Sequence, residues 1–223
     1  MSKIDSPLYN DNRNYDYSNT FAEEREEYRL ICELVESGSK VIDLGCGNGS
    51  LLQKLIKVKN IKGEGVELSS SGIEVCKEKG LKVYKGRIDE KLPFAEDSFD
   101  FSICNVTIQM VMFPEILLSE MKRISKYQIV SFPNFAHYKN RLDLLFKGRM
   151  PKPMLFEYKW YSTGHIHQLS IKDFYELVDD VGGLNVLKIK NLMSPNPIKR
   201  FISAHLPNIF VPVTIFLLTA SND

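Results

Sequence analysis

The sequence lacks the marks of several protein classes. Its four cysteines, Cys32, Cys46, Cys76 and Cys104, are widely separated and form no C-x-x-C pair. That spacing argues against a disulfide framework or a zinc ribbon. The longest apolar run, residues 209–218, is too short to cross a bilayer and contains Pro212. The N-terminus has no apolar stretch of the secretory kind. Neither sign of charge is in excess: 29 Lys and Arg stand against 28 Asp and Glu, a net charge of +1. A chain so balanced has no global field to draw a polyanion or an anionic membrane. No Gly-Lys-Ser/Thr follows any glycine cluster, which excludes a phosphate cradle of that type. There is no internal repeat and no low-complexity tract. These absences predict a cytoplasmic protein with reduced thiols, no nucleic-acid or membrane partner and no resident metal.

What is present points to one site. Length is 223 residues with 43% hydrophobic content, enough for a single core without disulfides. Within it, Val41-Ile-Asp-Leu-Gly-Cys-Gly-Asn-Gly49 runs from an apolar strand through three glycines into the helical pattern Ser50 to Ile56. Glycines at 45, 47 and 49 permit positive φ and let a ligand lie against bare backbone. The spacing is G-x-G-x-G, not the G-x-G-x-x-G of dinucleotide binders. Asp43 directly before the turn would repel a diphosphate and suits a cation carrying an amino group and a sulfonium. Asp43, Gly45, Cys46, Gly47, Asn48 and Gly49 are therefore expected to hold S-adenosyl-L-methionine in preference to a nicotinamide dinucleotide. Glu67, 18 residues after Gly49 at the end of the next strand, sits where open α/β sheets place a carboxylate for ribose hydroxyls, with Leu68 beside it.

Along the chain, residues 1–19 are polar and aromatic without periodicity and read as a flexible N-terminal segment, whose tyrosines could fold over a bound cofactor. Residues 20–223 read as one domain. An amphipathic helix covers 20–35, with Tyr28, Ile31, Cys32 and Val35 on its inner side. Helices follow at 50–58, from Ser71 (capped with Glu74) to Gly80, and from Pro114, with Leu117, Met121 and Ile124 buried. Strands are expected at 40–44, up to Glu67, at 81–84, 99–104 and 128–132. That alternation predicts a doubly wound, mostly parallel seven-stranded α/β sheet with helices on both faces and a ligand crevice at the strands' carboxyl ends. Residues 133–168 form a long lid or substrate insertion, with a helix up to Phe146. Ser170 and Asp173 open a further helix, and 184–191 and 209–219 supply the last strands, including an antiparallel edge.

Asn105 and Gln109, after the fourth strand, should border the reacting group. Around the insertion, His137, Tyr138, Tyr161, His165 and His167 are candidates for proton transfer, with His137, Tyr161 and His167 foremost. Arg141 and Arg149 could hold an anionic group on a substrate, and Asn134 and Trp160 could line its pocket. His165 and His167 alternate as strand neighbours would, on one face; no third ligand lies near them in sequence.

The string Asp43-Leu-Gly-Cys-Gly-Asn-Gly49 resembles the first motif of the class I methyltransferases. Taken with Ser131-Phe-Pro-Asn-Phe-Ala-His137, Arg141, Lys147-Gly-Arg-Met-Pro151, Trp160-Tyr-Ser-Thr and Ile166-His167, the chain resembles the MetW methionine-biosynthesis family over about residues 28–190. The resemblance implies a Rossmann-like fold, S-adenosylmethionine as cofactor and a small-molecule methyl acceptor. As an alternative it implies a non-catalytic accessory subunit working with homoserine O-acyltransferase. It further implies an adenine contact after the third strand, given by Asp89 or by Ile88 through stacking and its backbone N–H. Two features depart from the pattern: the extended N-terminus, and Arg87 where an acid is usual.

Overall fold

The computed structural model describes Tyr17, residues 24–151, Trp160 and residues 164–221. Residues 1–16, 18–19 and Tyr161 of the expected lid and acceptor regions lie outside these.

β1 (Lys40–Leu44) forms from a β-branched apolar run and is buried after its first residue. It pairs in parallel with β2 (Lys62–Glu67) on one side and β4 (Phe99–Asn105) on the other. β3 (Lys82–Lys85) lies outside β2, and β5 (Ser125–Pro133) outside β4, both parallel. β7 (Val213–Ala220) then runs antiparallel to β5, with β6 (Leu184–Asn191) as the outer strand in the order β3-β2-β1-β4-β5-β7-β6. The chain reverses its direction of winding between β1 and β4, which is where such a sheet opens a crevice.

Alternate residues of the central strands feed two cores, as a pleated sheet buried on both faces requires. Val41, Ile103, Ile129 and Ile215 face α1 (Glu26–Cys32) and α2 (Ser50–Lys59), meeting Tyr28, Ile31, Leu51, Leu52 and Leu55. Ile42, Leu44, Cys104, Val130 and Phe216 face α4 (Pro114–Ile124) and α6 (Ile171–Val181), meeting Leu117, Met121, Phe174 and Val178. Phe174 stands 5.0 Å from Phe132 and 4.6 Å from Phe216 between ring centroids. α6 starts with the expected capping box between Ser170 and Asp173.

The structure corrects several expected boundaries. The first helix is shorter, Glu26–Cys32 followed by a turn that keeps Val35 buried. α3 (Ser70–Glu78) is capped by Ser69, whose hydroxyl accepts from the Gly72 amide, and not by Ser71. It ends as expected at Gly80, whose φ of +72° closes the turn while the Leu81 amide bonds back to Cys76. The stretch expected as one strand from 209 is divided: α7 (Pro197–His205) and α8 (Pro207–Phe210) precede β7. Both helices carry proline in their first turn, and Asn196 caps the first of them through the Ile198 and Lys199 amides. The antiparallel strand is therefore an inner one, reached from the edge strand β6 through these two helices. α5 (Tyr138–Lys147) matches the expected helix in the insertion.

Phe174→Ala should cost about 3–5 kcal/mol, because two rings, Phe132 and Phe216, close on that side chain. Ser170→Ala, which removes only a cap, should cost about 1 kcal/mol. Urea unfolding followed by circular dichroism would rank the two; a Phe174 effect no larger than the cap's would contradict the packing described.

Candidate functional site

The glycine loop between β1 and α2 is docked on the end of β2. The Gly45 and Cys46 amides both donate to the Val66 carbonyl, at 2.8 and 3.2 Å. Gly45, Gly47 and Gly49 have φ of +79°, +55° and +72°, so each needs the freedom that glycine alone gives cheaply. Space imposes the same choice at Gly49, where a Cβ would lie 2.4 Å from Leu81 Cδ1 and 2.8 Å from Cys76 Sγ. At Gly45 a Cβ would stand 2.6 Å from Thr107 Cγ2. Asn48 steadies the turn by accepting from the Ser50 amide, and its carbonyl takes the Lys79 ammonium at 2.6 Å.

Glu67 closes this arrangement. One carboxylate oxygen accepts from Gly47 N at 2.7 Å; the other accepts from Leu68 N and Ser69 N at 2.9 and 2.8 Å. Its side chain thus faces the loop as expected. Above it opens a cleft of about 110 Å³. Gly45, Glu67, Leu68, Ile88 and Asp89, all expected from the sequence, line it. So do Gly86, Arg87, Thr107, Met110, Val111 and Tyr17. Tyr17 is anchored by its amide, which donates to Ser71 Oγ at 2.9 Å, and brings one tyrosine of the N-terminal segment to the cleft.

Asp43 is placed behind the loop, off the wall of the cleft and almost wholly buried. Burial first, and the Glu67 charge second, push its carboxyl up to about 7. Cys46 also lies behind the wall, its thiol raised by a hydrogen bond with Cys76 and by burial. All four cysteines are free thiols. Gly47, Asn48 and Gly49 shape the loop without lining the cleft, and Asn105 is turned to Ser131, whose hydroxyl donates to its Oδ1 at 2.6 Å. Val106 then takes φ of +54°, unusual for a β-branched residue, with its amide held by both the carbonyl and hydroxyl of Ser131. That bend carries Thr107, Met110 and Val111 to the cleft. No periodicity or residue type signals it in the sequence.

The acceptor-side residues divide. Gln109, 2% exposed, packs with His165 and His167 around a separate small cavity of about 10 Å³, room for one water. Gln109 Nε2 is 3.4 Å from His165 Nε2, and its carbonyl accepts from the Ile166 and His167 amides. Gln109 Oε1 and His167 Nε2 are both buried without a protein partner. Burial lowers His165 to about 4, so this ring is neutral at physiological pH. The two histidines lie on an irregular segment, not on a strand. Among the described residues no group of three His, Cys, Asp or Glu is placed to hold a metal.

Other expectations are corrected. Asn134 is fully buried and braces the chain: its amide donates to the Asn208 and Val211 carbonyls and its oxygen accepts from Ala136 N. These bonds make it a strut between the end of β5 and the turn before β7. Arg141 is exposed and donates to the Ala136 carbonyl, Arg149 is exposed beyond α5, and Trp160 is 71% exposed; none of the three reaches the cleft. His137 is buried, its ring 4.5 Å from that of Tyr138 at a tilt of 46°, with Nδ1 unpartnered and its basicity lowered by burial and then by Lys139.

A buried aspartate with a raised pKa makes stability depend on pH. The folded chain holds the Asp43 proton more tightly than the unfolded one, so the contribution of this group to stability is fully present below about pH 4 and is lost as pH rises through about 7. The loss is at most about 4 kcal/mol. Asp43→Asn should flatten this slope in urea titrations run from pH 5 to 8; an unchanged slope would place the titrating group elsewhere.

Known proteins agree with this geometry. A 35% identical stretch of 167 residues matches the bifunctional methionine biosynthesis protein MetXA/MetW of Rhodopirellula baltica. It covers 70% of this chain and 26% of that protein, so the chain spans about a quarter of the relative's length. Demethylmenaquinone methyltransferase of Staphylococcus aureus is 29% identical over 171 residues, covering 68% of this chain and 70% of that one. In fold, the chain superposes on a SAM-dependent methyltransferase structure from Thermotoga maritima with a TM-score of 0.62 at 21% identity, covering 88% of each. The family model for methionine biosynthesis protein MetW matches residues 25–218, and the chain belongs to that family.

Proposed function

We propose that this protein binds S-adenosyl-L-methionine in the cleft over β1, β2 and β4 and transfers its methyl group to a small molecule within methionine biosynthesis. The observation that carries the reading is the Glu67 carboxylate, bound to the Gly47 amide at 2.7 Å at the base of the cleft. The donor set fits an adenosyl sulfonium: bare backbone at Gly45, a carboxylate at the end of β2, and a second buried acid, Asp43, whose carboxyl is raised by burial and by the Glu67 charge. When bound, the cofactor supplies a methyl group activated by positive charge on sulfur. Glu67 would accept the ribose hydroxyls, Asp43 would favour the cation through the loop, and Ile88 would pack on the base. Met110 and Val111 exclude water from the opposite wall. Positioning supplies most of the acceleration of such a displacement, so an acceptor needs a base only when it is a poor nucleophile. Gln109 and His167 stand on the far side of the turn after β4 and would meet the acceptor. Residues 133–168 would act as its cap.

A second reading is favoured by one further observation. Leu145, Phe146, Ile198 and Phe201, on α5 and α7, are 66–77% exposed. Exposed large apolar side chains of that kind suit a partner protein, and a relative is named as a bifunctional MetXA/MetW protein. In this reading the protein is a cofactor-sensing subunit of homoserine O-acyltransferase.

Calorimetric titration with S-adenosylmethionine tests what both share. Wild type should bind, and Glu67→Ala should weaken binding by about tenfold or more, since a charge-assisted acceptor and the order of the loop are lost together. A wild-type protein that gives no heat and no thermal shift would end both readings. S-adenosylhomocysteine formation with homoserine and its acyl esters, measured by chromatography, then separates them: turnover marks the enzyme, and its absence with co-elution of the acyltransferase marks the subunit.

A further inference from the structure

Tyr17 precedes residues 25–218, the stretch that the family model matches, yet it stands on the wall of the cleft. It is half-buried and belongs to neither hydrophobic core. Polar and backbone contacts place it instead. The Tyr17 amide donates to Ser71 Oγ at 2.9 Å, and that hydroxyl lies 3.0 Å from Ser69 Oγ, the cap of α3. The ring rests on two glycines. A Cβ at Gly47 would stand 3.1 Å from the phenol oxygen and 3.2 Å from Cζ, and a Cβ at Gly72 would stand 3.1 Å from Cδ2. Gly72 lies inside α3 without the positive φ that calls for glycine, at a position where glycine weakens a helix. Space accounts for it: the same Cβ would stand 2.8 Å from the Gly47 carbonyl oxygen and 3.2 Å from Glu67 Cγ. Loop backbone, Glu67 and the Tyr17 ring thus converge on the bare face of Gly72. That convergence sets the ring beside the carboxylate proposed for the ribose hydroxyls.

We propose that Tyr17 is a ligand-contacting residue, whose ring covers the ribose of the bound adenosyl compound on the Glu67 side of the cleft. The ring acts as a flat apolar surface against the sugar's carbon face. By excluding water there it strengthens the hydrogen bonds that the ribose makes to an ionised acceptor. The phenol hydroxyl takes no part. The inference rests on the cofactor reading above and adds to it a residue from outside the family-matching stretch.

The test uses S-adenosyl-L-homocysteine and 5′-methylthioadenosine, which share base and ribose and differ in the amino-acid chain, by calorimetry on the full protein. Tyr17→Ala should weaken both by the same factor of about tenfold, as loss of roughly 55 Å² of buried apolar contact gives. Tyr17→Phe should bind both within about twofold of wild type. An alanine variant that binds both probes like wild type overturns the proposal. So does one that loses only S-adenosylhomocysteine, which would put the ring against the amino-acid chain. A phenylalanine variant as weak as the alanine one overturns it too, since the hydroxyl would then carry the effect. A second measurement needs no variant: saturating S-adenosylhomocysteine should protect Tyr17 of the wild-type protein from nitration by tetranitromethane, read by peptide mass spectrometry, and equal nitration with and without it overturns the proposal. Failure of wild type to bind either probe has a different meaning: the cofactor reading itself falls, and this inference with it.

Discussion

The carboxylate of Glu67 is the point on which the binding end of this fold turns. Three glycines with positive φ leave the β1–α2 loop with little side-chain packing of its own, and a flexible loop would lose much of its affinity to ordering. Glu67 counters that by accepting the Gly47 amide, while Val66 accepts the amides of Gly45 and Cys46. The ends of β1 and β2 are thereby fixed to each other before any ligand arrives. The same carboxylate holds the Leu68 and Ser69 amides, so the start of α3 joins the same unit. Removing Glu67 therefore disturbs the shape of the loop together with any ligand contact that the proposed cofactor makes there. The two losses are distinguishable only by a substitution that keeps one acceptor oxygen.

That tie has an electrostatic consequence. Asp43 and Glu67 are two acids in one poorly solvated region, and Asp43 responds by holding its proton up to about pH 7. An arrangement selected for stability alone would not keep an acid there, since an amide of equal size avoids the desolvation cost. Such conflicts between local cost and global fold mark functional sites. A positively charged ligand relieves this one by stabilising the ionised form of Asp43. Binding of a sulfonium should accordingly be stronger on the alkaline side of that titration, where no proton has to leave. An anionic nucleotide would meet the opposite gradient.

How much of this could be read from the sequence follows from how local each determinant is. The glycine loop, Glu67, the capping box at Ser170 and the alternation of strands and helices depend on neighbours a few residues apart, and all were legible. The division of the 197–220 stretch was not, because Ile209 and Phe210 extend the apolar run of β7 and conceal the end of α8. The bracing bonds of Asn134 and Arg141 were not legible for a related reason. A polar residue after a strand end looks like a ligand contact, but the chain there must satisfy the exposed carbonyls of the next loops, and these two side chains do that work. Thr107, Met110 and Val111 reach the cleft only through the bend at Val106, which depends on Ser131 of the neighbouring strand. A contact across the sheet leaves no pattern within the segment it bends.

The two sides of the turn after β4 handle charge differently, and this bears on what an acceptor must be. The cleft side holds Glu67, Arg87 and Asp89. The other side, around Gln109, has two histidines, of which burial keeps His165 neutral, and otherwise amide and apolar side chains. A carboxylate or an ammonium placed there would lose its water and find no counter-charge, whereas a hydroxyl or amide would meet Gln109 Oε1 and His167 Nε2, both in want of a partner. A molecule packed against that side is constrained to present a neutral group. Any charged group that it carries must remain outward, towards the exposed arginines of the 133–168 segment. The polar pair at Gln109 and His167 is thus where a transferase and a sensor of the same fold would differ.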